Sequence, residues 1–158
     1  TGDPYLLLKW VHILSSSVLF GTGIGTAFQM VFAMRTGKVE TVHSVASGVV
    51  LADWMFTLPA GVLQPLSGIA LVLMLGYGLM ESWLVLTYLL YALAFSCWLP
   101  VVRLQIRVRD MTGQALTQGA PIPDAARRAY NTWFWLGWPA FTALVAVFWL
   151  MVRRPELW

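Results

Sequence analysis

Between Tyr5 and Met34 the chain runs for 30 residues in which only Lys9 and His12 are ionisable. As a helix rising about 1.5 Å per residue this stretch reaches roughly 45 Å, more than the hydrocarbon thickness of a bilayer. The segment is therefore expected to cross a membrane. It carries a serine run, Ser15 to Ser17, the glycines Gly21, Gly23 and Gly25, and His12 at a depth where lipid would lie. A polar group held there costs free energy, so it marks a structural tie or a functional site.

The rest of the chain has the same character. With 59% hydrophobic and 11% charged residues, its 158 residues cannot cover a soluble domain with polar surface. A net charge of +3 would suit nucleic acid, but the basic residues sit at the ends of apolar runs, where they flank membrane spans. Nucleic acid is accordingly excluded as a partner. One cysteine, Cys97, rules out a disulfide within the chain and a multi-cysteine metal site. The first apolar run is too long for the core of a signal peptide and reads as a retained helix.

Four spans are expected within a single transmembrane domain over 1–158, at about 5–34, 56–77, 83–102 and 132–151. Asp3 and Pro4 suit the start of the first helix, and Arg35 to Lys38 close it. The second span is predicted to begin near Phe56, with Glu40 to Trp54 as an interfacial or protruding lead-in. Pro59 and Pro65 should bend it, with Gln64, Ser67 and Gly68 placed to satisfy the freed carbonyls. Asp53 then falls near the interface, where Arg103 or Arg128 would pair with it. The third span leaves the lipid through Arg103, Arg107 and Arg109. Met111 to Pro123 reads as the only real loop, and Pro123 and Asp124 open the fourth helix. The expected fold is all-α: an integral membrane four-helix antiparallel bundle with its second helix bent at prolines.

Charge gives an orientation. Seven basic residues (Arg35, Lys38, Arg103, Arg107, Arg109, Arg127, Arg128) follow spans one and three, against three (Lys9, Arg153, Arg154) on the other face. The positive-inside rule then puts both termini outside, periplasmic in a bacterial inner membrane.

His12 has three readings: a hydrogen bond between helices, a haem or metal ligand, or a proton relay. His43 lies about one membrane thickness away along the chain, so the two histidines cannot share an iron in one subunit. Glu81, Thr87, Tyr88, Tyr91 and Trp149 are the residues expected to meet His12, with Tyr88 and Tyr91 lining a cofactor site. Lys9 and Arg153 would face haem propionates on one reading and anchor the interface on the other. Met30 and Met34, four apart, read as packing rather than as a copper site. Trp133, Trp135 and Trp138 read as interfacial anchors, with a slot for a quinone or carotenoid as the alternative. Gly21 and Gly25, Gly23 with Ala27, and Gly68 are the expected helix-packing positions. No nucleotide loop, serine triad or zinc motif is present, and neither paired intramembrane carboxylates nor an inverted repeat points to a transporter.

Three stretches carry a resemblance: YLLLKWVHILSSSVLFGTGIG from Tyr5, DWMFTLPAGVLQPLSG from Asp53, and CWLPVVRLQIRVRD from Cys97. Over nearly its whole length the chain resembles the bacterial integral membrane proteins called domain of unknown function 2269, most specifically in the spacing of Pro59, Gln64, Pro65 and Gly68. That resemblance implies four spans and no established activity. More distantly, the Lys9-Trp10-Val11-His12 start is similar to the HemJ type of protoporphyrinogen oxidase and to CopD copper-resistance proteins. This second likeness implies His12 as a haem-facing residue. Thr87 stands where the HemJ type has a third-helix lysine, and the later histidine of that helix is missing around Cys97 and Trp98.

Two functional expectations result. One is a non-catalytic accessory subunit that packs against a larger membrane complex, or against a copy of itself, within the lipid bilayer. The alternative is a haem-binding electron-transport subunit holding haem b with His12 as axial ligand.

Overall fold

The computed structural model describes residues 2–158 and is all-α. Helix α1 spans Asp3–Thr36, α2 Val39–Ala52, α3 Leu58–Leu75, α4 Ser82–Thr117 and α5 Asp124–Arg153. A π-helical turn, Asp53–Thr57, joins α2 to α3, so Val39 to Leu75 forms one rod of 37 residues. The molecule thus has four rods, each long and apolar enough to cross a membrane.

Local chemistry sets the ends of these helices. Pro4 sits in the first turn of α1, where its missing N–H costs nothing. Gly37 (φ 67°) and Gly76 (φ 76°) end α1 and α3 in the left-handed region, which favours glycine because it lacks a Cβ. The π turn has a similar origin. An α-helical Pro59 would press its ring on the carbonyl of Met55 and leave it without a donor. The helix widens just before that proline, and the Leu58 N–H reaches back five residues to the Asp53 carbonyl.

Two boundaries differ from the sequence expectation. The helix that carries the second expected span already begins at Val39, because Val42, Ala46, Val49 and Val50 recur at helical spacing and are buried. The lead-in is therefore part of the bundle, with Val42 and Ala46 packed among Met30, Ala33 and Val108. The expected loop Met111 to Pro123 is also mostly helix. Helix α4 continues to Thr117, and its 36 residues measure about 54 Å at helical rise. Thr112 is fully buried on that extension, where its hydroxyl donates to the Val108 carbonyl at 2.6 Å.

The apolar core is concentrated at the two ends of the bundle. At the arginine-rich end, Met30, Ala33 and Met34 of α1 pack with Val42, Val108, Ala126 and Trp133. At the end bearing the chain termini, Val72, Trp83, Leu84 and Leu150 form a smaller cluster. The tail closes that end: Leu157 N–H donates to Ser82 Oγ at 2.8 Å, and Arg154 donates to the Tyr77 hydroxyl at 2.7 Å.

His43 ties α2 to α4. Its Nδ1 lies 2.9 Å from the Arg109 carbonyl, as its donor, and the ring rests on Gly113 so closely that a Cβ there would stand 2.9 Å from Cε1. Gly113→Ala must push the ring off that hydrogen bond, at a cost of about 1–3 kcal/mol. Thermal unfolding in detergent should show a lower Tm for Gly113→Ala and no loss for Gly48→Ala, whose Cβ would meet nothing within 4 Å. Equal Tm values for Gly113→Ala and the parent would refute the contact.

Candidate functional site

His12 lies between α1 and α3, and its partners come from α3 rather than from the expected Glu81, Thr87, Tyr88, Tyr91 and Trp149. Its Nδ1 is 2.8 Å from Ser67 Oγ, while Gln64 Nε2 is 3.4 Å from its Nε2. The Ser15 hydroxyl donates to Gln64 Oε1 in a short bond and lies 3.1 Å from the His12 carbonyl. Ser67 Oγ in turn donates to the Leu63 carbonyl at 2.7 Å. These contacts assign every proton in one direction. Ser15 donates to Gln64, the Gln64 amide to Nε2, Nδ1–H to Ser67, and Ser67 to backbone. Gly68 completes the seat, since a Cβ there would stand 3.1 Å from His12 Cε1. The cluster sits just beyond Pro65, so the sequence run of Gln64, Pro65, Ser67 and Gly68 serves α1 as well as its own backbone.

The other expected site residues have separate partners. Tyr91 donates its hydroxyl to the Gly61 carbonyl in a short bond. Gly61 is the residue whose carbonyl Pro65, four positions on and without an N–H, leaves free in α3. A side chain of α4 thus supplies the donor that the proline removed. Tyr88 is exposed and donates to the Leu79 carbonyl at 3.1 Å. Thr87 donates to the Trp83 carbonyl, and Glu81 accepts from the Trp83 indole at 2.9 Å. Lys9 lies 5.8 Å from the Tyr5 ring centroid, and Arg153 5.8 Å from that of Trp149, each over an aromatic of its own helix.

Both ring nitrogens of His12 are engaged by α3 in this arrangement. An axial nitrogen must present a lone pair to iron, whereas one ring nitrogen of His12 donates to Ser67 and the other accepts from Gln64. Gly68 stands against the Cε1 edge of the ring. Among the described residues no three His, Cys, Asp or Glu side chains converge as metal ligands do.

The second polar cluster was not legible as such. Asp53 is buried, and its partner is not Arg103 or Arg128 but neutral groups of the bundle interior. Thr57 donates to Asp53 Oδ1 at 2.8 Å. The Gln105 amide complements two neighbours when its nitrogen faces Asp53 Oδ2 and its oxygen accepts from Trp133 Nε1 at 3.0 Å. Trp133 is consequently a buried member of this network rather than an interfacial anchor, while Trp135 and Trp138 are exposed. The α4 and α5 side chains that meet Asp53 at this level, directly or through Gln105, are Gln105 and Trp133, both neutral donors. The π turn is what brings Asp53 and Thr57 round to face them.

Beside this cluster the bundle is hollow. A cavity of about 470 Å³ lies among α1, the π turn, α4 and α5, floored by Asp53, Thr57, Gln105 and Trp98 and otherwise walled mainly by apolar side chains, with Thr26 and Tyr91 interspersed among them.

An all-α bundle of four apolar rods with polar residues paired inside it defines the class: a multi-pass integral membrane protein. More particularly, residues 6–155 match the family of predicted integral membrane proteins designated DUF2269, and the chain belongs to that family. No curated protein and no solved structure matches it.

The pairing of Tyr91 with Pro65 is testable. Tyr91→Phe should cost about 0.6 kcal/mol, the mean for hydrogen bonds inside a membrane bundle, and no more than about 1.7 kcal/mol, the maximum. In a Pro65→Ala background, where the backbone again supplies a donor to Gly61, the same substitution should cost much less. Equal losses in both backgrounds, read by denaturant titration, would show that the phenol does not replace the missing N–H.

Proposed function

We propose that this protein is a non-catalytic accessory subunit, which packs through α1 against another membrane protein chain or a second copy of itself. The observation that carries this reading is how the polar groups of its helices are used. His12, Ser15, Gln64, Ser67, Tyr91 and His43 find partners within the chain, and none is left aimed at a reacting group. By contrast Gly21 and Gly25 are exposed, with nothing of this chain within 4 Å of where a Cβ would be. Gln29, one further four-residue step along, is exposed as well. Small residues with a nearby amide on an apolar face suit close approach of a second helix.

The haem-binding electron-transport reading, with His12 as axial ligand, has less support, because both ring nitrogens already bond to α3. The placement in a bacterial inner membrane with periplasmic termini rests on the clustering of seven of ten basic residues after the first and third rods.

Cross-linking in native membranes tests the assembly. The parent should give a discrete higher-mass species, and Gly21→Leu combined with Gly25→Leu should reduce it at least tenfold while the circular dichroism stays unchanged. A parent that stays monomeric would contradict the reading, and so would a haem band in the purified protein that vanishes in His12→Ala.

A further inference from the structure

The chemistry of the cavity is more specific than a packing gap. Its volume, about 470 Å³, lies within the range of small-molecule pockets, roughly 300–1,000 Å³. It is reached from the apolar flank of the bundle, since its lining residues Ile24, Phe28, Phe95 and Trp138 are among the exposed hydrophobics. A molecule entering it would come from lipid.

Three features define what it would accept. First, flat surfaces line it: Phe134, Trp138, Phe141 and Phe20 follow one another along one wall with successive ring centroids 6.1, 6.2 and 5.6 Å apart. Such walls favour a planar ring by offset or edge contact. Second, no lysine or arginine lines the cavity, and its one charged residue type is the acid Asp53, so a carboxylate or phosphate headgroup would find no counter-charge. Third, one polar group of the floor is unpaired. Both Asp53 oxygens, the Gln105 amide and the Trp133 indole are matched, but Trp98 Nε1, buried beside the Asp53 carboxylate, makes no well-formed hydrogen bond. An N–H sealed from water beside oxygens already bonded to Thr57 and Gln105 is poorly satisfied, so what this network lacks is an acceptor.

We infer that this cavity binds a neutral, lipid-soluble molecule with a flat carbonyl-bearing ring and an apolar tail, the chemistry of a quinone, whose carbonyl accepts from Trp98 Nε1. The π turn belongs to the same site, because it sets Asp53 and Thr57 into the floor that fixes Gln105 and Trp133 around the ring.

The probe is decylbenzoquinone, distributed by equilibrium dialysis between nanodiscs holding the protein and empty nanodiscs of the same lipid. Saturable uptake of about one molecule per protein is expected, with decylbenzene, which lacks the carbonyls, a poor competitor. Trp98→Phe should weaken binding about tenfold, the worth of one hydrogen bond. Gly137→Leu should abolish it by filling the cavity; Gly137 lines the space and has nothing within 4 Å of a Cβ, so this variant tests the site without disturbing the fold. Uptake no greater than that of empty nanodiscs would overturn the inference. Displacement by decylbenzene as effective as by the quinone would also overturn it, leaving the space to lipid tails.

Discussion

The bundle depends on the high cost of leaving a polar group unpaired where no water can reach it. In an apolar setting each such group must find a partner within the protein, and the partner's position then fixes how two helices meet. His12 binds α1 to α3 in this way, and His43 binds α2 to α4. Both imidazoles rest on a glycine of the facing helix, Gly68 or Gly113, so the close approach and the hydrogen bond come from one local arrangement. Apolar packing alone would not select that register, because lipid tails solvate leucine as well as another helix does.

The prolines act through the same constraint. Pro59 is accommodated by widening the helix into a π turn, whereas Pro65 is accommodated from outside by the Tyr91 hydroxyl. The two solutions have different consequences. The phenol ties α3 to α4, whereas the π turn carries the buried Asp53 and Thr57, which border the space between the two packed ends of the core.

Much of this architecture could be read from residue order. Apolar run lengths and bounding charges were enough for four helical rods, and the isolation of His12 in apolar sequence marked it as needing a partner. The partner itself was not legible, since Ser67 and Gln64 looked occupied with the carbonyls around Pro65, and nothing local shows which face of α3 meets α1. The start of the second helix at Val39 was legible in principle: Val42, Ala46, Val49 and Val50 keep helical spacing, though Glu40, His43 and Ser44 dilute the hydropathy. The Asp53, Gln105 and Trp133 network could not be found from one sequence, because it joins three helices far apart in the chain and depends on a π turn that shifts every later side chain.

The most direct measurement is a double-mutant cycle between His12 and Ser67 on the folded protein in bilayer-like micelles, with stability read from denaturant titration. A coupling of about 0.6–1.7 kcal/mol between His12→Ala and Ser67→Ala is the result expected if the imidazole is a tie between α1 and α3. Strictly additive losses would contradict it, and would free His12 for another role.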